Sequence, residues 1–262
     1  MVAVAAATVI ACASSAAHAE FEIPQVNAEA GSIEAEYRGA THDGLLLAEP
    51  GEEASLEQSH ELEFQLAPAD WWMYRITPGL TQPMGGDLQY TDFNFETQFV
   101  LLRRPPEGLG VAFMFGYTHY LNDLQDLPDE YEYGPIIEYA TGDWLLTLNP
   151  LLTGLRGRDA SSATGFEYAA QLQYRFAKHW AIAALAFGEI ENLSDSSPFE
   201  DQVHRAGPTL YLLLGEEEFD EFAEEEAGDE PETAWKIGLG ALFALTPATT
   251  DLSLKAMVAL EY

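Results

Sequence analysis

Side-chain character along most of this chain repeats every two residues, the period of an extended strand whose two faces meet different surroundings. In Phe166-Glu167-Tyr168-Ala169-Ala170-Gln171-Leu172-Gln173-Tyr174-Arg175-Phe176 the even positions are aromatic or aliphatic, while Glu, Gln, Gln and Arg fall on odd ones. Leu62, Phe64 and Leu66 alternate with Glu61, Glu63 and Gln65, and Phe93, Phe95, Phe99 and Leu101 alternate with Asp92, Asn94, Glu96 and Gln98. Twelve such segments are predicted, over 32–39, 57–66, 71–80, 89–102, 109–120, 131–140, 144–154, 166–176, 180–190, 204–214, 234–245 and 252–262. A tilted strand of about ten residues crosses a bilayer, and single-chain bacterial barrels close with an even strand number. The pattern therefore predicts an all-β fold, a 12-stranded antiparallel transmembrane β-barrel over residues 32–262.

Two further regularities agree with that prediction. Connections alternate in length: 67–70 and 177–179 are short, whereas 40–56 and 191–203 are long. Short periplasmic turns and long outer loops would put both termini in the periplasm. All five tryptophans, Trp71, Trp72, Trp144, Trp180 and Trp235, stand directly after the expected periplasmic turns. Indole favours the headgroup level, where its ring is buried and its N–H stays near water, so these residues read as a periplasmic aromatic girdle. A soluble β-sandwich with core tryptophans would explain neither the one-sided placement nor the polar second face.

The first nineteen residues stand apart. Val2 to Ala11 is apolar, and Ala17-His18-Ala19 ahead of Glu20 has the small-x-small form of a signal-peptidase site, so 1–19 reads as a signal peptide. Val9-Ile10-Ala11-Cys12 also fits a lipobox loosely, but only a short apolar stretch precedes it. Cleavage after Ala19 removes the single Cys and leaves a chain without disulfide or thiolate chemistry. Residues 20–31 are then expected as a short periplasmic segment ahead of the barrel.

The last segment ends on an aromatic residue, with Leu254, Ala256, Val258, Leu260 and Tyr262 on one face. It looks like the C-terminal targeting strand that outer-membrane barrels present to their insertion machinery. Asp70-Trp71-Trp72, Gly165-Phe166-Glu167-Tyr168-Ala169 and the run from Pro198 to Pro208 resemble a group of poorly characterised proteobacterial outer-membrane barrels, porin-like proteins often labelled only as transporters. That resemblance implies a barrel in the outer membrane and a transport role, and it transfers no catalytic or ligand residue.

Charge narrows the function classes. With 44 Asp plus Glu against 11 Lys plus Arg, the formal charge is -33, which would repel phosphate backbones and argues against a nucleic-acid partner. Strand parity turns Glu34, Glu36, Glu61, Glu63, Asp92, Glu96, Glu138, Glu167 and Glu189 into the lumen, with Arg38, Arg75, Arg175, Lys236 and Lys255. An open lumen of that composition would favour cations. The same groups can instead pack the interior as an ion-pair network, and Gly110, Ala112, Met114, Gly116, Ala181, Ala183, Leu185 and Phe187 make part of the inward face apolar. Parity leaves both possibilities open.

The connection from 215 to 233 contains eleven acidic residues among the seventeen from Glu216 to Glu232, where a tight periplasmic turn is expected. It suits divalent cations or a cationic periplasmic partner; like-charge repulsion equally suits a solvated linker. It lacks the Asp, Gly and Glu spacing of a calcium loop. No catalytic residue, metal ligand or cofactor is assigned. The lipid-hydrolysing barrels place His and Ser two residues apart on one strand, and none of the six histidines here has a Ser two positions on. His60, His119 and His204 fall on the lipid side near the outer rim. The expected function is an outer-membrane channel or transporter for small cationic or neutral solutes, the outer-membrane lipid being its surroundings. A non-conducting barrel with a filled lumen and useful loops is the alternative, and a lipid-modifying enzyme the third.

Overall fold

The computed structural model describes residues 21–44, 56–83, 85–121, 128–157, 160–215 and 233–262. The signal peptide expected over 1–19 and the acidic tract from Glu216 to Glu232 lie outside the described residues.

Twelve antiparallel strands follow one another as neighbours: β1 (Ile33–Asp43), β2 (Leu56–Ala69), β3 (Trp72–Pro83), β4 (Gln89–Leu102), β5 (Gly108–Tyr120), β6 (Asp129–Thr141), β7 (Trp144–Arg156), β8 (Thr164–Ala177), β9 (Trp180–Ile190), β10 (Val203–Leu214), β11 (Ala234–Ala244) and β12 (Leu252–Glu261). The sheet closes on itself where β1 pairs with β12, from Glu34 opposite Glu261 to Asp43 opposite Leu252. Closure removes the free edge that hydrocarbon would punish, because no water is there to satisfy open N–H and C=O groups. Ile33 and Tyr262 complete the seam by exchanging two backbone hydrogen bonds, each 2.9 Å.

The start of β1, the end of β12, the short turns 70–71, 142–143 and 178–179 and the connections from β4 to β5 and from β10 to β11 share one end of the barrel, and the remaining connections share the other. Gly142, at φ +54°, supplies the left-handed residue that a turn as short as 142–143 demands. Proline inside a sheet has no N–H to offer. At Pro135 and Pro150, on facing stretches of β6 and β7, the ladder skips from Tyr133–Leu152 to Ile137–Leu148 without changing register.

The two faces sort as the alternation requires. Leu62, Phe64, Phe93, Phe95, Phe99, Phe113, Phe115, Leu172 and Leu239 point outward and are exposed, a belt of large apolar groups suited to hydrocarbon. The inward residues are buried against one another, so the core of this protein is the barrel interior.

Residues 21–31, expected as a separate periplasmic segment, run inside that interior. Phe21 and Ile23 pack against Leu185, Tyr211, Leu242 and Met257; Val26 packs against Ala112, Met114, Ile136 and Leu151; Ala28 packs against Ala67 and Met73. The segment enters at the turn end, where the Gly31 N–H donates to the Ala67 carbonyl at 2.8 Å. The aliphatic and aromatic side chains of 21–28 find their burial in a lumen whose walls are partly apolar, which reading 20–31 alone could not reveal.

Candidate lumenal site

Strand register assembles the most densely charged part of the lumen. Arg38 on β1 stands directly opposite Glu61 on β2, with Glu36 opposite Glu63; Arg75 on β3 stands opposite Gln65 on β2 and Glu96 on β4. Opposed residues on one face of an antiparallel pair are close enough to interact directly. The Arg38 guanidinium donates to Glu61 Oε2 at 3.1 Å, Glu36 Oε1 at 3.1 Å and Glu63 Oε2 at 3.0 Å. Arg75 donates to Gln65 Oε1 at 3.2 Å, Glu96 Oε2 at 2.8 Å and Gln98 Oε1 at 3.3 Å. Glu22, from the segment inside the lumen, joins them: one carboxylate oxygen lies 3.1 Å from Arg38 Nη2, and the other pairs with Arg75 Nη1.

Both arginines are almost fully buried, at 2% and 4% exposure. A charge so far from water persists only when several partners replace its hydration, and the planar five-donor fork of Arg suits that task. Five carboxylates, Glu22, Glu36, Glu61, Glu63 and Glu96, thus meet two guanidinium groups in the cluster.

The wall that continues across the seam, from β12 back to β9, is different. Ala181, Ala183 and Leu185 of β9, Tyr211 and Leu213 of β10, Leu242 of β11 and Met257 and Ala259 of β12 form an apolar surface. Its cations lie against aromatic rings: Lys236 Nζ is 5.1 Å from the Tyr211 centroid, Lys255 Nζ 5.9 Å from Phe187, and Arg205 Cζ 4.9 Å from Phe21. Such contacts retain a cation where full hydration is denied.

Of the lumenal residues expected from parity, Glu36, Arg38, Glu61, Glu63, Arg75 and Glu96 are thus gathered into one cluster. Glu34 lies on the same wall, opposite Gln65 and Glu261. The others are spread out. Asp92 accepts from the Thr91 hydroxyl at 2.8 Å; Glu138 accepts from Arg104 Nε at 3.1 Å; Glu167 and Glu189 face each other across β8 and β9. Arg175 sits at the turn end, 3.9 Å from Asp143, and Lys236 and Lys255 belong to the apolar wall. The tryptophans lie at the turn end: Trp71, Trp144, Trp180 and Trp235 are exposed, and Trp72 donates from Nε1 to Thr97 Oγ1 at 2.9 Å. In β12, Leu254 to Leu260 pair with both β1 and β11.

Sequence reasoning missed several participants. Gln65 and Gln98 share the parity of Glu61 and Glu96 and were legible on that ground. Glu22 was not, because nothing local announces that its partners lie on β1 and β3. His42 has no serine nearby in sequence, yet its Nδ1 is 2.9 Å from Ser253 Oγ and its Nε2 3.1 Å from Ser59 Oγ. Both serines reach it across strands. A hydrolase would place a carboxylate on the second ring nitrogen to orient the base, and Ser59 occupies that place. His60 and His204, on the lipid side, repeat one motif: a tyrosine hydroxyl at Nδ1, from Tyr37 at 2.8 Å or Tyr168 at 3.1 Å, with Gln58 or Gln202 at Nε2. Among the described residues no group of three or more His, Cys, Asp or Glu is placed to hold a metal ion.

A closed antiparallel barrel with an apolar outer belt and a charged interior is the architecture of outer-membrane porins. The solved structures similar to this chain include the NanC porin, at a TM-score of 0.53 and 9% identity over 87% of this chain and 98% of that one. The KdgM porin is similar at a TM-score of 0.50 and 11% identity, again over 87% and 98%. No family model matches the chain, and no curated protein matches it. At these identities the likeness concerns the fold.

Proposed function

We propose that this protein is an outer-membrane channel that passes small cationic or neutral solutes by passive diffusion. The observation that supports the reading best is the lumenal wall around Arg38 and Arg75, where Glu36, Glu61, Glu63 and Glu96 outnumber the two guanidinium groups. Inside a low-dielectric shell such an excess lowers the energy of a passing cation and raises that of an anion. The outward apolar belt fits outer-membrane lipid, and the strand order suits assembly by the barrel-insertion machinery after export on residues 1–19. On this reading the C-terminus and the acidic tract face the periplasm, where Glu216 to Glu232 could take up divalent cations or a cationic partner. Kinship with the poorly characterised proteobacterial barrels belongs to the same proposal.

Reconstitution into planar bilayers under a potassium chloride gradient tests it. The expected result is a conductance whose reversal potential favours potassium; chloride preference would contradict the electrostatic part. The buried network and the segment at 21–31 also favour a second reading, an interaction barrel with a permanently filled lumen. Absence of conductance under every condition, with capture of a periplasmic partner through the acidic tract, would establish that reading instead.

A further inference from the structure

The segment 21–31 fills the lumen without belonging to the sheet. The barrel closes through β1 and β12 from Ile33 onward, so every ladder hydrogen bond survives if the segment leaves. Barrel side chains hold it by its carbonyls: Lys255 Nζ donates to Phe21 O at 2.8 Å, Asn149 Nδ2 to Pro24 O at 3.0 Å, and Gln98 Nε2 to Gln25 O and Asn27 O at 2.9 and 3.2 Å. These donors come from β12, β7 and β4, so the segment bridges walls that face one another across the pore. Resting on the channel reading above, we propose that residues 21–31 are a displaceable plug that closes the conduit, swinging about Gly31 toward the turn end.

Three features make the docked state reversible rather than a permanent core. First, Glu22 brings a further carboxylate to two arginines that keep partners without it: Arg38 retains Glu36, Glu61 and Glu63, and Arg75 retains Glu96 and Gln65. Its departure therefore strands no buried cation. Second, polar atoms at the docked segment stay buried without a hydrogen-bond partner, Asn27 Oδ1 on the plug itself and Asn149 Oδ1 on the wall residue whose Nδ2 donates to Pro24 O. Each such group carries a desolvation penalty that hydration of an opened lumen would relieve. Third, the pivot is built for rotation. Gly31 adopts φ +99° with open space where a side chain would stand, beside a turn in which Ser32 N–H donates to Glu29 O at 3.0 Å.

Withdrawal would open a passage lined by the Arg38–Arg75 wall and, continuing from it across the β1–β12 seam, by Met257, Leu242, Tyr211 and Leu185. The test is single-channel recording on the full-length chain with Ala28→Cys and Ala67→Cys, residues that pack together at the base of the plug, in a Cys12→Ala background. Oxidation is expected to abolish openings and reduction to restore them. Val26→Asp, which forces a carboxylate into the Ala112, Met114, Ile136 and Leu151 cluster, and deletion of 21–31 should each raise the open probability about tenfold or more. The cysteine pair and Val26→Asp keep the test decisive if the deletion fails to fold. Conductance unchanged by oxidation would overturn the plug and leave the channel reading standing. Failure of the two cysteines to bond would also overturn it. No conductance from any variant, the deletion included, would overturn plug and channel together.

Discussion

Replacing Arg38 by Met keeps much of the side-chain volume and removes the cation that holds β1 to β2 inside the lumen. At 2% exposure Arg38 is in ion-pair contact with Glu22, Glu36, Glu61 and Glu63, at 3.0 to 3.1 Å. Its loss leaves those carboxylates facing one another with only Arg75 nearby. Breaking a buried pair by deleting one partner costs about 3–5 kcal/mol. Proton uptake and water in the lumen work against a larger figure. Arg38→Lys keeps the charge but loses the fork that spans four carboxylates, so a cost of about 1–2 kcal/mol follows from one or two lost hydrogen bonds. Arg175→Met serves as the comparison, because Arg175 is more accessible and 3.9 Å from an exposed Asp143, a pair worth about 0–1 kcal/mol. Urea unfolding of the barrel in phosphatidylcholine vesicles, followed by tryptophan emission, reads all three. Destabilisation is expected to be largest for Arg38→Met, smaller for Arg38→Lys and smallest for Arg175→Met. A change under about 1 kcal/mol for Arg38→Met, or no difference between Arg38→Met and Arg175→Met, would refute the claim that this cluster is a buried, mutually dependent network.

Other consequences can be measured separately. Phe95→Arg places a cation on the lipid face near the middle of β4 and should cost about 2–4 kcal/mol in the same unfolding assay; a neutral outcome would mean that Phe95 does not meet hydrocarbon. Tryptophan emission should be quenched more by lipids brominated near the headgroup than by those brominated at the chain ends, since all five indoles lie at one rim; stronger deep quenching would move them off the interface. Deleting Tyr262 removes both hydrogen bonds it exchanges with Ile33 and should slow insertion into vesicles relative to the full chain; equal rates would deny that terminus a part in closure. Sequencing the exported protein should give Glu20 as its first residue, and a start at Cys12 would replace the signal-peptidase reading with lipidation.

Much of the barrel was legible because the period of two is dictated by a boundary condition, lipid on one side and an enclosed interior on the other. The predicted limits of β4 and β9 coincide with the observed ones. β1 runs on to Asp43 because Thr41, His42 and Asp43 continue the ladder against β12 with polar side chains, which a search for apolar alternation stops short of. β2 continues to Ala69 through an irregularity between Leu66 and Ala69 that breaks the strict alternation around Pro68. The cluster around Arg38 and Arg75 was readable only as a set of inward positions. Which carboxylate meets which guanidinium depends on register, and register is a relation between strands. Residues 21–31 were harder still. Phe21, Ile23 and Val26 lie in no strand whose alternation would betray them, and the surfaces that bury them belong to β1, β5, β6, β7 and β9 to β12. His42 and Ser253, 211 residues apart, illustrate the same limit.

A nitroxide scan along β8 in lipid vesicles, from position 166 to 176, addresses the membrane-spanning alternation on which every functional statement rests. High accessibility to dissolved oxygen is expected at Phe166, Tyr168, Ala170, Leu172, Tyr174 and Phe176, and low accessibility at Glu167, Ala169, Gln171, Gln173 and Arg175. An oxygen profile that is flat, inverted or periodic at 3.6 residues would contradict a lipid-spanning barrel enclosing this lumen.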